Sequence, residues 1–281
     1  MHGKVVVMTG GTSGIGEVAA ARLAGLGARL VLVARDRARG EATLARLRAR
    51  GPGVGHVAHY ADLSLIADSK RVAAEIAAAE PRIDVLINNA GAMFGRRQVT
   101  ADGLELTFAT NHMSYFLLTH GLRERLLASA PARVVNTSSA AHRRADLDFD
   151  DLQSTRDYRG FMAYSRSKLC NILYTRELAR RSAGTGVTAN CLHPGFVATR
   201  FGDASGGFFS YVVRASKKVF AISSEKGAET LVYLASSPEV ATISGGYFYQ
   251  CQLATPTRAA QDDAAARRLW AETARLAGLS G

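Results

Sequence analysis

Between residue 4 and about residue 250, short and nearly unbroken apolar runs alternate with longer stretches where apolar side chains return every three or four positions. A strand with one wet face alternates apolar and polar residues; an unbroken β-branched run fits a strand covered on both faces. The first run, Lys4-Val5-Val6-Val7-Met8, is of that kind, and helical spacing resumes at Val18, Ala19, Leu23 and Leu26. Residues 28–34 predict a second strand and residues 36–50 a charged helix, stopped by Gly51-Pro52-Gly53. Residues 56–61 predict a third strand, 65–79 a helix ended by Pro81, and 83–87 a fourth strand. A long helical region is expected over 101–127, a fifth strand over 133–139, a helix over 158–182 and a sixth strand over 186–192. A tract rich in Gly and Phe, 196–220, precedes a helix over 224–236, a short seventh strand over 245–249 and an amphipathic closing helix over 261–277.

Such regular alternation predicts an α/β fold: a Rossmann-like doubly wound parallel sheet of about seven strands flanked by helices. No internal repeat or linker interrupts the series, so residues 1–281 read as one domain.

Composition narrows the function classes. Hydrophobic residues make up 47 % of 281, an ordinary globular share. No stretch reaches the roughly 18 apolar residues a membrane span needs, and the first strand begins too early to leave room for a signal peptide. The expectation is a cytoplasmic protein without a transmembrane segment. Cys170, Cys191 and Cys251 are widely spaced and read as free buried thiols, and the seven histidines show no metal-ligand spacing, so no metal is expected. The formal charge is +11, mostly from arginines scattered in pairs such as Arg96-Arg97 and Arg143-Arg144. With no basic block and no interleaved aromatics, nucleic acid is not an expected partner.

The turn after the first strand carries the first chemistry. In Thr9-Gly10-Gly11-Thr12-Ser13-Gly14-Ile15-Gly16 a glycine-rich bend joins a buried strand to a helix. Glycines there let backbone approach a pyrophosphate, and the helix presents unpaired N–H groups and its positive dipole end to the anion. The spacing is Gly10-x3-Gly14-x-Gly16, not G-x-G-x-x-G, and no Lys-Ser or Lys-Thr pair follows, which argues against a nucleoside triphosphate. At the end of the second strand, where an acid would hold a ribose 2′-hydroxyl, Ala34 and then Arg35 occur. A guanidinium there suits a 2′-phosphate, making NADP(H) the preferred cofactor and NAD(H) the second choice; the other reading makes Arg35 a surface strand end. Asp62, before Leu63, either accepts the adenine amino group or caps the next helix. Asn88-Asn89-Ala90-Gly91 ends the fourth strand at the same edge, with small residues that admit a ligand.

Tyr164 and Lys168 stand at i and i+4 and share one helix face. A phenol titrates near 10, and bringing it two to three pH units closer to neutrality needs roughly 3 to 4 kcal/mol. A neighbouring ammonium and the positive ring of an oxidised nicotinamide both act in that direction. The pair by itself also fits two unrelated surface residues. Ser139, in preference to Ser138, ends the fifth strand where a hydroxyl can hold a carbonyl oxygen against Tyr164. Asn111 lies mid-helix, either anchoring a water that relays protons from Lys168 or marking a kink or a local hydrogen bond.

Taken in order, Thr9-Gly10-x3-Gly14-Ile15-Gly16, Asn88-Asn89-Ala90-Gly91, Asn111, Ser139, Tyr164-x3-Lys168 and Pro194-Gly195-x-Val197-x-Thr199 resemble the short-chain dehydrogenase/reductase family over residues 4–250. Thr100-Ala101-Asp102-Gly103, Asn111-His112, Phe116-Leu117-Leu118-Thr119 and Ala266-Arg267-Arg268-Leu269-Trp270 resemble its retinol-dehydrogenase and WW-domain-oxidoreductase-like branch. The resemblance implies hydride transfer to or from a nicotinamide. Tyr164 would be the acid/base, Ser139 would orient the carbonyl, Lys168 would tune Tyr164 and hold the ribose, and Asn111 would complete the relay. It further implies that Asp62 meets adenine, that Pro194, Gly195, Val197 and Thr199 meet the nicotinamide amide, and that a homodimer pairs through the two long helices. Ser114-Tyr115 stands where relatives of the branch commonly show Gly-His, and no N-terminal membrane anchor is expected, so the resemblance is not read as assigning retinol.

Phe201, Phe208, Phe209 and Tyr211 predict a lid over an apolar substrate within 196–224, or packing on the core. The substrate expected is a small hydrophobic alcohol, aldehyde or ketone, with carbonyl reduction the favoured direction for NADPH. Residues 140–163, carrying Asp146, Asp148, Asp150 and Asp151, are expected to line or shield the active-site mouth; they lack the Gly and terminal Glu of a calcium loop. Two other classes remain, a cofactor-sensing binding protein and an epimerase or dehydratase on the same scaffold.

Overall fold

The computed structural model describes residues 1–50, 54–195 and 223–279. Its strands are β1 (Val5–Thr9), β2 (Arg29–Ala34), β3 (Val57–Tyr60), β4 (Val85–Asn88), β5 (Ala132–Thr137), β6 (Val187–Leu192), β7 (Tyr247–Tyr249) and β8 (Gln252–Leu253). They form one sheet in the order β3-β2-β1-β4-β5-β6-β7-β8. All neighbours are parallel except β7 and β8. The helices are α1 (Gly14–Gly25), α2 (Arg37–Arg50), α3 (Ile66–Ala79), α4 (Leu106–Phe108), α5 (Ser114–Gly121), α6 (Arg123–Ala128), α7 (Gly160–Arg181), α8 (Ser224–Ser236) and α9 (Asp263–Leu276).

The unbroken apolar runs have the cause expected of them. Val7, Val31 and Leu86 enter one core with α3, α5, α7 and α9, while Val6, Leu30, Leu32 and Ile87 enter the other with α1, α2 and α8. Each strand therefore feeds two layers of helices.

Two elements depart from the sequence expectation. The helix over 101–127 begins only at Leu106, because Gly103 (φ +78°) and a Gly103 N–H bond to the Thr100 carbonyl make a turn first. Glu105 then caps the helix, accepting from Thr107 N and Phe108 N at 2.8 Å each. The helical path passes through a π turn at Ala109–Met113 and breaks again at Leu122. The second departure is the eighth strand. Gln250 (φ +50°) and Cys251 (φ +61°) turn the chain through two left-handed residues without glycine, and Cys251 N donates to Thr230 Oγ1 at 3.1 Å.

α9 packs along α7 and sets Trp270 edge-on to Phe116 (5.0 Å between centroids) and stacked on Tyr174 (5.7 Å), with the Arg181 guanidinium 4.4 Å from its ring. Part of the α5–α7 surface is thus covered by the chain's own last helix. Trp270→Ala should cost about 2 to 4 kcal/mol, read by denaturant unfolding, since it removes a large ring from an aromatic cluster; a loss below about 0.5 kcal/mol would show that α9 contributes little to the fold. Among the described residues no helix is long and apolar enough to cross a membrane, and none form a metal-ligating cluster.

Candidate active site

The sheet order reverses between β1 and β4, where parallel sheets leave a crevice at their carboxyl edge. β1 opens into this crevice through Gly10 (φ +68°) and Gly14 (φ +55°). A Cβ on Gly16 would overlap the Gly10 carbonyl oxygen, and one on Gly10 would sit 2.8 Å from Ala90 N. These glycines let the turn fold back against the end of β4. The N-cap residue of α1, Ser13, is extended and makes no capping bond with its hydroxyl. The first-turn N–H groups, flanked by half-buried Thr12 and Ile15, therefore keep their capacity to meet an anion.

The end of β4 is pinned residue by residue. The Thr9 hydroxyl, fully buried, accepts from Asn89 N (2.9 Å) and Ala90 N (3.0 Å). The Asn89 side chain donates to the Gly10 carbonyl (3.2 Å) and accepts from Thr137 Oγ1 (3.2 Å), tying β1, β4 and β5 together. Gly91 stays open for a different reason: an added Cβ would lie 3.2 Å from Asn111 Oδ1 and 3.3 Å from Lys168 Nζ.

Lys168 reaches this place from α7. Its side chain is buried, its ammonium donates to the Thr137 carbonyl at 3.0 Å, and burial pushes its pKa down to about 7. Tyr164, one turn earlier, is hydrogen-bonded to Ser139. Its ring centroid lies 5.6 Å from Lys168 Nζ. The expected downward pull on the phenol is absent in the free chain: burial pushes it up to about 12, opposed by the Ser139 hydroxyl. An ammonium that is itself desolvated and 5.6 Å from the ring does not offset that burial.

The two serines separate by direction. Ser138 Oγ donates to the Lys168 carbonyl (2.8 Å) and is buried, whereas Ser139 is half-buried and caps the following 3₁₀ turn by accepting from Ala141 N. Asn111 sits within the π turn. Its Oδ1 accepts from Ala92 N (2.8 Å), and its Nδ2 donates to Ala92 O and Ser167 Oγ (2.9 Å each). Both amide hydrogens are thus used by protein.

Other expected ligands are more dispersed. Arg35 is exposed at the end of β2. The Asp62 carboxylate accepts from Ser64 N (3.0 Å) and Ser64 Oγ (2.8 Å), shaping the turn into α3, with Leu63 half-buried beside it. The α3 N-terminus itself is met from outside, by Asp102 on Ile66 N (2.8 Å). Pro194 and Gly195 (φ +86°) follow β6 at the crevice edge. Val197, Thr199 and the lid aromatics lie outside the described residues. In the 140–163 insert Asp151 is a loop anchor, accepting from Thr155 N, Thr155 Oγ1 and Arg156 N, which holds its carboxyl down at about 2.

Some site residues escaped the sequence reading. Thr137 receives both Lys168 and Asn171 (3.2 Å) on one carbonyl, and Asn171 also donates to the Asn111 carbonyl (2.9 Å). Asn171 stands three residues after Lys168 on the same helix face, a spacing that could have pointed to it. The cavity of about 420 Å³ lined by Phe116, Val134, Val187 and Trp270 belongs to the opposite end of β5 and β6, away from this crevice.

Comparison with known proteins agrees with this geometry. A family profile described as short chain dehydrogenase matches residues 4–206. The chain is 42 % identical to human (Homo sapiens) retinol dehydrogenase 14 over 299 residues, covering 99 % of this chain and 88 % of that protein. A crystal structure of an uncharacterised protein from Mycobacterium Paratuberculosis superposes with TM-score 0.79 at 31 % identity, covering 99 % of this chain and 95 % of that one. A short chain dehydrogenase from Burkholderia cenocepacia J2315, solved in complex with NADP, gives TM-score 0.68 at 25 % identity, over 88 % of this chain and 96 % of that one.

Proposed function

The chain belongs to the short chain dehydrogenase family and is an oxidoreductase, and from that premise we propose that it interconverts a hydrophobic alcohol and its aldehyde or ketone with NADP(H), Tyr164 acting as general acid and base. The observation carrying this reading is that Ser139, Tyr164 and Lys168 converge at the sheet edge where the Gly10–Gly16 turn opens. The cradle fits a dinucleotide: Gly10, Thr12, Ser13, Gly14, Ile15 and Gly16 would meet the pyrophosphate, and Asn89, Ala90 and Gly91 the nicotinamide ribose. Asp62 and Leu63 would meet adenine, and Pro194 and Gly195 the carboxamide.

The nicotinamide, when bound, supplies or accepts the hydride and, oxidised, adds a positive ring beside the phenol. The protein's own groups do the rest. Ser139 holds the substrate oxygen, and Tyr164 gives that oxygen its proton in reduction and takes it in oxidation. Lys168, fixed on Thr137, lends the phenolate a cation and holds the ribose, and Asn111 keeps Ala92 and Gly91 in register beside it. The 42 % identity to a retinol dehydrogenase supports an apolar substrate class.

The preference for NADP(H) rests on Arg35 and the lack of an acid at Ala34. Arg35→Ala should weaken NADPH about tenfold or more and NADH less than about twofold, as expected for losing a charge-assisted pair worth roughly 1.5–3 kcal/mol. Equal losses for the two cofactors would remove the 2′-phosphate argument. The reaction itself is tested by incubating the protein with NADPH and a panel of apolar aldehydes and ketones. Consumption of the reduced nicotinamide is expected; tight binding with no turnover on any member would turn the reading toward a sensor.

A further inference from the structure

Tyr115 has no part in the roles derived above, yet it touches two of the residues that carry them, Ala90 and Lys168. It stands one turn beyond Asn111 on α5 and is completely enclosed. Its hydroxyl donates to the Ala90 carbonyl at 2.8 Å. Its ring centroid lies 5.7 Å from Lys168 Nζ, close to the 5.6 Å that separates the ammonium from the Tyr164 ring. The Lys168 ammonium therefore lies close to two phenol rings, one on α7 and one on α5.

Filling space does not require a phenol, since Phe or Leu would occupy much the same volume. The hydroxyl adds a donor aimed at Ala90, and the ring adds a negative face toward a cation. Ala90 already has its N–H on Thr9, and Ala92 is held on both backbone groups by Asn111. The Tyr115 bond fixes the Ala90 carbonyl, the polar group lying between those two anchors. Gly91, directly between, is the residue whose open face meets both Asn111 and Lys168.

We propose that Tyr115 is a positioning residue for the reaction: its hydroxyl sets the Ala90–Gly91 backbone against which the dinucleotide lies, and its ring keeps the Lys168 ammonium charged and in place. The inference rests on the functional reading above. Among the described residues the titratable groups facing Lys168 are Tyr164 from its own helix and Tyr115 from α5, and β5 contributes the Thr137 carbonyl. Burial lowers the affinity of Lys168 for its proton, and among the described residues no carboxylate ion pair to it offsets the loss of a ring. Removing the Tyr115 ring lowers that affinity further and takes a cation from the neighbourhood of Tyr164. The phenol then ionises at higher pH, and the rising limb of alcohol oxidation moves up with it.

Two variants separate the hydroxyl from the ring. In Tyr115→Phe the NADPH dissociation constant, measured by nicotinamide fluorescence without substrate, should rise about five- to tenfold, the size of one lost hydrogen bond, while the pH limb stays in place. In Tyr115→Leu the affinity loss should recur, and the limb should also move up by about one pH unit, the scale of one partly desolvated cation–π contact. NADPH bound by Tyr115→Phe as tightly as by the native chain overturns the proposal, as does a Leu variant whose limb does not move. Should the Leu variant fail to fold, the Phe variant decides alone. A native chain that binds no dinucleotide would instead sink the functional reading, which keeps the two failures apart.

Discussion

Tyr164→Phe should lower turnover roughly 10³-fold while leaving NADPH affinity within about twofold of the native value. The ring is buried and the substitution removes one oxygen, so packing around α7 is retained. That oxygen is the group bonded to Ser139, and in the proposed reaction it carries the proton exchanged with the substrate oxygen. Losing it leaves the hydride transfer without a proton partner. A variant with native turnover, measured by nicotinamide absorbance on a substrate accepted by the native chain, would remove Tyr164 from the mechanism.

Lys168→Met is the second large effect, and it should divide stability from activity. A buried ammonium held by one carbonyl is costly, and burial has already brought its pKa down to about 7 from 10.5. Between those values the unfolded chain binds a proton that the folded chain does not. Stability contributed by this group therefore rises with pH from about 7 to 10.5 and is lowest at neutral pH and below. Met fills the same channel without charge. The variant should be at least as stable as the native protein at pH 7 in denaturant unfolding, and its stability should rise less between pH 7 and pH 9. Turnover should nevertheless fall by roughly 10²-fold, because the phenolate of Tyr164 loses its cation. A variant that keeps its activity, or one that is destabilised at neutral pH, would contradict this division.

Much of the fold was readable because a strand buried on both faces reads as an unbroken apolar run, and Val5–Met8 of β1, Leu30–Ala34 of β2 and Val85–Ile87 of β4 do. The π turn at Ala109–Met113 was legible only as one option, a kink at a mid-helix Asn, since the bond it is seen with, from Asn171 to the Asn111 carbonyl, is tertiary. β8 was hidden for a related reason. Its turn uses Gln250 and Cys251 in a conformation that usually announces itself with Gly or Asn, and Thr230 supplies the compensation from another helix.

In the site, residue types and spacing brought out Tyr164, Lys168 and Ser139, because helix periodicity fixes which side chains share a face. Spacing says nothing of burial. The expectation that Lys168 lowers the phenol failed in the free chain because desolvation acts on both partners at once. Nor does charge alone reveal local bonding: the Asp62 carboxylate also accepts from Ser64 N and Oγ and so shapes the turn into α3.

The proposed role of Tyr164 therefore turns on what brings its phenol from about 12 into a working range. The most direct measurement is an ultraviolet titration of phenolate in the native chain and in Tyr164→Phe, each with and without NADP⁺. The difference between the two proteins should show one phenol that stays protonated past pH 10 in the free chain and ionises about three or more pH units lower once NADP⁺ is added. A Tyr164 phenol that remains protonated above pH 10 in the complex would contradict it.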